Sequence, residues 1–156
     1  MRYRGLTKEG DWIYGWYCKV SNRHLIIKKN ARLVNPLGGL VIQIRQKYYI
    51  DGFIEVIPES VGMSIVLNDK NGKEIFGSIP IDGKMTKGGD IVIENPPFMA
   101  KDKNKKYVIR YSNHSFDLAT KKGHWPKRND GYAYYGCSWD NIEVIGNQTE
   151  NPELLK

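Results

Sequence analysis

The chain is cut into short apolar runs of two-residue period, each bounded by Gly, Pro, Asn or Asp, and no stretch sustains the 3.6-residue apolar period of an amphipathic helix. Such runs bury one face at a time and are satisfied only by pairing into a sheet. The pattern therefore predicts a mainly β protein, a barrel or a sandwich with little helix.

The densest part of the pattern is residues 53–94. Ile- and Val-rich runs flank Asn71-Gly72, a dipeptide that tolerates the positive φ of a tight hairpin turn. Asp51-Gly52 reads as a second turn of that kind, joining residues 47–50 to residues 53–57. Further strands are expected at residues 25–28, 40–45, 91–94, 132–137 and 141–145, and as a pair separated by Ser112-Asn113. Near the C-terminus, Asn151 and Pro152 suit the cap and first position of one short helical turn. The first strand is Trp12–Val20. Trp12, Tyr14, Trp16, Cys18 and Val20 share one of its faces, and that aromatic area is expected to anchor the core, each ring burying about 150–250 Å², with base stacking as the alternative that no RNP-like pattern accompanies.

At 156 residues the chain is expected to form one domain over residues 1–156, large enough to bury about 68–70% of its unfolded surface. No apolar run approaches the roughly 18 residues of a spanning helix, and the opening residues lack a secretion signal. The expectation is a protein without membrane contact that stays in the cytoplasm. Cys18 and Cys137 fit neither a disulfide framework nor a C-x-x-C site and read as two packed thiols. The net charge of +7 is uneven: residues 1–50 carry ten Lys or Arg against two acids, residues 51–100 four against eight, and residues 101–156 ten against seven. A polyanion would be drawn to the two ends, provided the fold gathers them on one face.

Several groups carry potential chemistry. Lys28, Lys29, Arg32, Arg45 and Lys47 form a basic series that would contact phosphates, with a solvated, edge-protecting face as the plainer reading. His124, Trp125, Lys127 and Arg128 set an aromatic between cations on a connecting segment, a ligand-contact candidate. His114, Asp117 and His124 offer metal-ligating types in a spacing that matches no established zinc pattern. No nucleophile elbow or phosphate-binding glycine loop is present, so no catalytic residue, metal site or cofactor is assigned. Most of the acids are expected to be solvated or paired with the surplus lysines.

Three blocks resemble the YopX family of phage and prophage proteins. They are YRGLTKEGDWIYGWY at the start, FIEVIPESVG with NDKNGKEIF and GDIV in the middle, and NIEVIGN with TENPELL at the end. The resemblance implies a small, partly open β-barrel with extended hairpins, encoded by a bacterial virus or prophage and acting in the host cytoplasm. It carries over no catalytic residue. Two departures from the family pattern stand out: the insertion GSIPIDGKMTKG after Phe76, and Gln148-Thr149 where the family ending has an Ile-Tyr pair. The polar pair implies a more loosely packed C-terminus.

The leading functional expectation is a non-catalytic accessory protein that works by binding, as a homo-oligomer and with a host or phage protein as partner. The alternative is a nucleic-acid-binding module using the basic first third. A third reading, a small metal-dependent hydrolase, rests on His114 and His124.

Overall fold

A computed structural model describes residues 1–34, 49–94, 105–112, 114–119 and 139–156. The alternating runs form β1 (Tyr3–Leu6), β2 (Trp12–Val20), β3 (Arg23–Val34), β4 (Tyr49–Glu55), β5 (Gly62–Asn68), β6 (Glu74–Ser78), β7 (Pro80–Ile81), β8 (Lys84–Met85), β9 (Asp90–Glu94), β10 (Lys106–Ser112), β11 (Ser115–Ala119) and β12 (Ile142–Asn147). The only helical pieces among the described residues are short 3-10 turns, the last at Pro152–Leu155 as the Asn151-Pro152 signal predicts.

The protein is mainly β, a curled, open half-barrel. One sheet runs in the order β12-β9-β10-β6-β5-β1-β2-β3-β4, with β11 on β10, and β7-β8 stand apart as a small hairpin. Neighbours pair antiparallel except β6 and β10, joined by one parallel bridge at Ser78 and Arg110. β1 sits in the interior of this order between β5 and β2. It is the splice between the β2-β3-β4 meander and the rest of the sheet.

Two apolar clusters lie along the sheet. One gathers Ile75, Val92, Tyr107, Ile109, Leu118 and Ile142. The other gathers Ile26, Val56, Val61 and Ile79, with Tyr3, Ile13 and Tyr17 packed against it. Phe116 touches both clusters and makes the core continuous.

Three local expectations are corrected. The boundaries of Trp12–Val20 are as expected, but the inward face is that of Ile13 and Tyr17, while Tyr14, Trp16 and Val20 are exposed. The reason is pairing: Tyr17 lies opposite the fully buried Ile26, and Tyr14 opposite Arg4. Asp51-Gly52 is not a turn. Gly52, at φ 100°, lies inside β4 where its pairing with β3 slips register between Ile27 and Arg32, so the positive φ serves a bulge. Asn71-Gly72 does lie in the loop joining β5 to β6, but that loop is longer than a two-residue turn and only Gly72 has positive φ. The tight primed turn occurs instead at Asp82-Gly83, both residues left-handed, inside the inserted β7-β8 hairpin.

The β5-β6 loop is held by Asp69, a buried residue whose carboxylate accepts from the backbone N–H of Asn71 at 2.8 Å, Lys73 at 2.9 Å and, across the sheet, Val144 on β12 at 3.0 Å. Burial by itself would raise the Asp69 pKa, but these three donors and the Lys73 charge outweigh it and hold the carboxyl below its ordinary 3.8. A depressed folded pKa contributes stability that is present above the unfolded value and lost as pH falls through the folded one. Asp69→Ala is expected to cost about 3 kcal/mol in urea unfolding at neutral pH. The gap between the two proteins should narrow as the pH is lowered below the ordinary carboxylate range. Val66 is the opposite case: a β-branched residue 77% exposed and held at φ 64°, where β5 slips register against β6. Val66→Gly should relieve that strain and raise unfolding stability by about 0.5–1 kcal/mol in the same assay.

Candidate functional site

The second face of the sheet differs chemically from the core face. Arg2 precedes β1 and Arg4 lies within it, so period two puts both on the side away from Tyr3 and Gly5. Antiparallel partners share a face, which places Arg4 with Tyr14 and, through the β1-β5-β6 pairings, with Ser64 and Phe76. Cations, rings and carboxylates alternate along this band from a buried end to an open one.

At the buried end, the side chains of Arg4 and Asp90 are only 6% and 1% exposed. Arg4 Nη2 donates to Asp90 Oδ1 at 2.6 Å and to the Gly88 carbonyl at 2.8 Å, while the Phe76 N–H donates to Asp90 Oδ2 at 2.8 Å. The guanidinium stands 4.6 Å from the centre of the Phe76 ring and 5.0 Å from that of Trp12, within cation–π range. Burial pushes the Asp90 carboxyl above its ordinary value, opposed by Arg4 and by the Phe76 amide. Asp90 is therefore neither solvated nor lysine-paired, an exception to what is expected of most acids. Arg4 Nε and Trp12 Nε1 have no hydrogen-bond partner among the described residues.

At the open end, Arg2 Nη1 meets Glu74 Oε2 at 2.7 Å, and Ser64 donates to the other Glu74 oxygen at 2.7 Å. Arg2 lies 5.0 Å over the Tyr14 ring, and Tyr14 packs edge-on to Phe76 at 5.8 Å. Beyond them is a cleft of about 430 Å³ lined by Met1, Arg2, Tyr14, Gly15, Trp16 and Lys29. Tyr14 is 41% and Trp16 50% exposed. Among the described residues the lining holds two cations and no carboxylate, and with Arg2 committed to Glu74, Lys29 is the cation without an ion-pair partner there.

The inserted segment builds a second feature. Thr86 and Ile79 close the β7-β8 hairpin through backbone and side-chain hydrogen bonds. At the hairpin's turn, Asp82 takes Lys19 Nζ at 2.5 and 2.6 Å and stands 3.7 Å from Nε2 of buried His24. The Lys19 hydrogen bond holds the Asp82 carboxyl below its ordinary value. His24 Nδ1 meets the Tyr17 hydroxyl at 2.7 Å, and burial, then Asp82, raise the Tyr17 pKa. The other end of the insertion is tied to the C-terminal segment: Ser78 donates to Gln148 Oε1 at 3.0 Å and Thr149 donates to the Lys87 carbonyl at 2.9 Å. Gln148-Thr149 is thus engaged, and the two places where the sequence leaves the family pattern meet.

Of the residues singled out from sequence, Lys28 and Lys29 are exposed on β3 and Lys29 lines the cleft. Arg32 lies further along β3, in register with Asp51. Arg45, Lys47, His124, Trp125, Lys127 and Arg128 lie outside the described residues, as do Cys137 and the strands expected at residues 40–45 and 132–137. His114 occupies an exposed turn at φ 68°, and Asp117 sits on β11 opposite Arg110. Among the described residues no three His, Cys, Asp or Glu side chains gather as metal ligands, and no helix is long and apolar enough to cross a membrane. Sequence reasoning set the strip of Tyr14 and Trp16 in the core, with base stacking as the alternative, and did not join it to Arg2 as a surface. The available signal was the Arg-x-Arg alternation of β1, which marks the face on which its partner strand cannot be plain core.

The band's two ends should respond differently to substitution. Arg4→Met strands a buried carboxylate and is expected to cost about 3–5 kcal/mol in unfolding free energy, with most of the loss recovered when Asp90→Leu is added. Trp16→Ala, at the open end, should change stability by less than about 1 kcal/mol. Equal losses at both ends would contradict this assignment.

Comparison with known proteins comes down to one match. Searches of the curated proteins and of the solved structures return none. The family described as YopX protein matches residues 2–156, essentially the entire chain and both of its departures. The chain belongs to the YopX family.

Proposed function

We propose that this YopX-family chain is a phage- or prophage-encoded accessory protein that works by non-catalytic binding in the cytoplasm of its bacterial host, as a homo-oligomer. The observation that carries the reading is the exposure of Tyr14 and Trp16 on a sheet face where Trp12 and Phe76 are packed against Arg4. Large rings left half in water beside cations are the usual makings of a contact surface. The open sheet supports self-association: β4 and β12 end the described strand order, and pairing between copies is one way to cover such edges.

A second reading, nucleic-acid binding, is favoured by one specific observation, the lining of the cleft by Lys29 and Arg2 with no acid among its described residues. Multi-angle light scattering is expected to give a mass at a whole-number multiple of the 17.9 kDa chain. Affinity capture from host lysate, scoring protein and nucleic acid together, should recover a partner that Trp16→Ala releases. A monomer that captures nothing would end the reading.

A further inference from the structure

We propose that the cleft between Tyr14, Trp16, Arg2 and Lys29 is a binding site for single-stranded polynucleotide, DNA and RNA alike, with an unpaired base stacked on Trp16 and the adjoining phosphate held by Lys29. The proposal rests on reading this face as the contact surface, and it names the partner.

The chemistry of the lining narrows the occupant. Trp16 offers a ring 50% exposed on a hydrogen-bonded strand, so it is held in place by the sheet at little entropic cost on binding. Every base has a π-face, and stacking on such a ring is tolerant of sequence but requires a base freed from a duplex. The cleft, at about 430 Å³, falls within the ordinary range for a ligand pocket, roughly 300–1,000 Å³. Tyr14 supplies a second ring on the same face, fixed by Arg2 above it and Phe76 at its edge.

Charge gives the polarity of the site. Lys29 reaches the cleft from β3 and forms no ion pair among the described residues. Arg2 is held by Glu74, so it fixes Tyr14 and adds positive potential without being free to grip a phosphate. Among the described residues no carboxylate lines the cleft to repel a polyanion. An apolar protein segment would gain from the rings but would leave Lys29 desolvated without a partner, and an acidic peptide would satisfy Lys29 but leave the rings unstacked. A nucleotide strand satisfies both, because phosphate and flat ring alternate along it. Among the described residues the lining side chains include no amide or carboxylate, and the cleft's cations serve the phosphate, so DNA and RNA are expected to bind alike.

The test is fluorescence-anisotropy titration of the full chain with labelled dT and rU oligonucleotides and with a duplex of equal length, across a salt series. Binding to both single strands within a few-fold of each other, weaker binding to the duplex, and a log–log salt slope of about −0.7 per phosphate engaged are expected. Trp16→Ala should weaken single-strand binding roughly 5- to 100-fold and Trp16→Phe should restore most of it, while Lys29→Ala should flatten the salt slope by about 0.7. Lys84→Ala, an exposed cation on the inserted hairpin, should change neither quantity. Duplex preference, a large preference for one sugar, or binding indifferent to Trp16 would overturn the proposal. If no oligonucleotide binds at low salt while Trp16→Ala still releases a captured protein, the polynucleotide site is wrong and the broader binding role stands.

Discussion

Arg4 and Asp90 are separated by 86 positions in sequence and joined by a 2.6 Å bond in a place that water does not reach. Removing two charges from water costs several kcal/mol per ion, and their attraction offsets this only where the remaining donors and acceptors are also satisfied. Gly88, Phe76 and the two rings around the guanidinium supply most of what is needed. The pair is thus better understood as a device for registration than as a source of net stability. It dictates that β1, and no other segment, enters between β5 and β2, facing the side where β9 presents its carboxylate. Since β1 splices the meander to the remaining strands, the continuity of the half-barrel depends on that choice.

From this constraint follows a sheet with two unlike faces. The face of Tyr3, Ile13 and Tyr17 merges into the apolar clusters. The other face must accommodate arginines, and it does so with rings and carboxylates in alternation. Burial along that face declines from Asp90 toward Trp16, so one structural device ends in a surface of the same residue types. The inserted β7-β8 hairpin braces the molecule elsewhere, with Asp82 on Lys19 and His24 at one end and Gln148 and Thr149 on Ser78 and Lys87 at the other.

The fold class was legible because alternation is a local property: β2 begins and ends where its period does, and β10 and β11 lie either side of the expected break. Which face of β2 turns inward was not legible, because both faces are apolar enough and the deciding partner, the Arg-x-Arg of β1, is set by pairing. The dipeptide signals were right about positive φ and less informative about what it serves. Gly52 makes a bulge, Gly72 closes a longer loop organised by Asp69, and Asp82-Gly83 makes the tight turn. Buried Asp69 and Asp90 look like any other acids in sequence, since Asp69 adds a donor from distant β12 to its two local ones and Asp90 takes its donors from β1 and β6. Of the candidate site, Lys29 was visible as a charge, while Trp16 was visible only as a ring assigned to the wrong side.

The distance along the chain between Arg4 and Asp90 also bears on synthesis. On the ribosome β1 is made before β9, and the carboxylate that completes its surroundings emerges only 86 residues after Arg4. The β2-β3-β4 meander, whose pairings are local, can assemble in that interval. During it, Arg4 and the aromatic face of β2 have nothing to close over them, and the nascent chain displays a cationic, ring-lined strand that the finished protein keeps only at its Trp16 end. Chaperone demand for this protein should therefore be concentrated before residue 90 is released, in a window set by translation speed more than by the final stability of the fold.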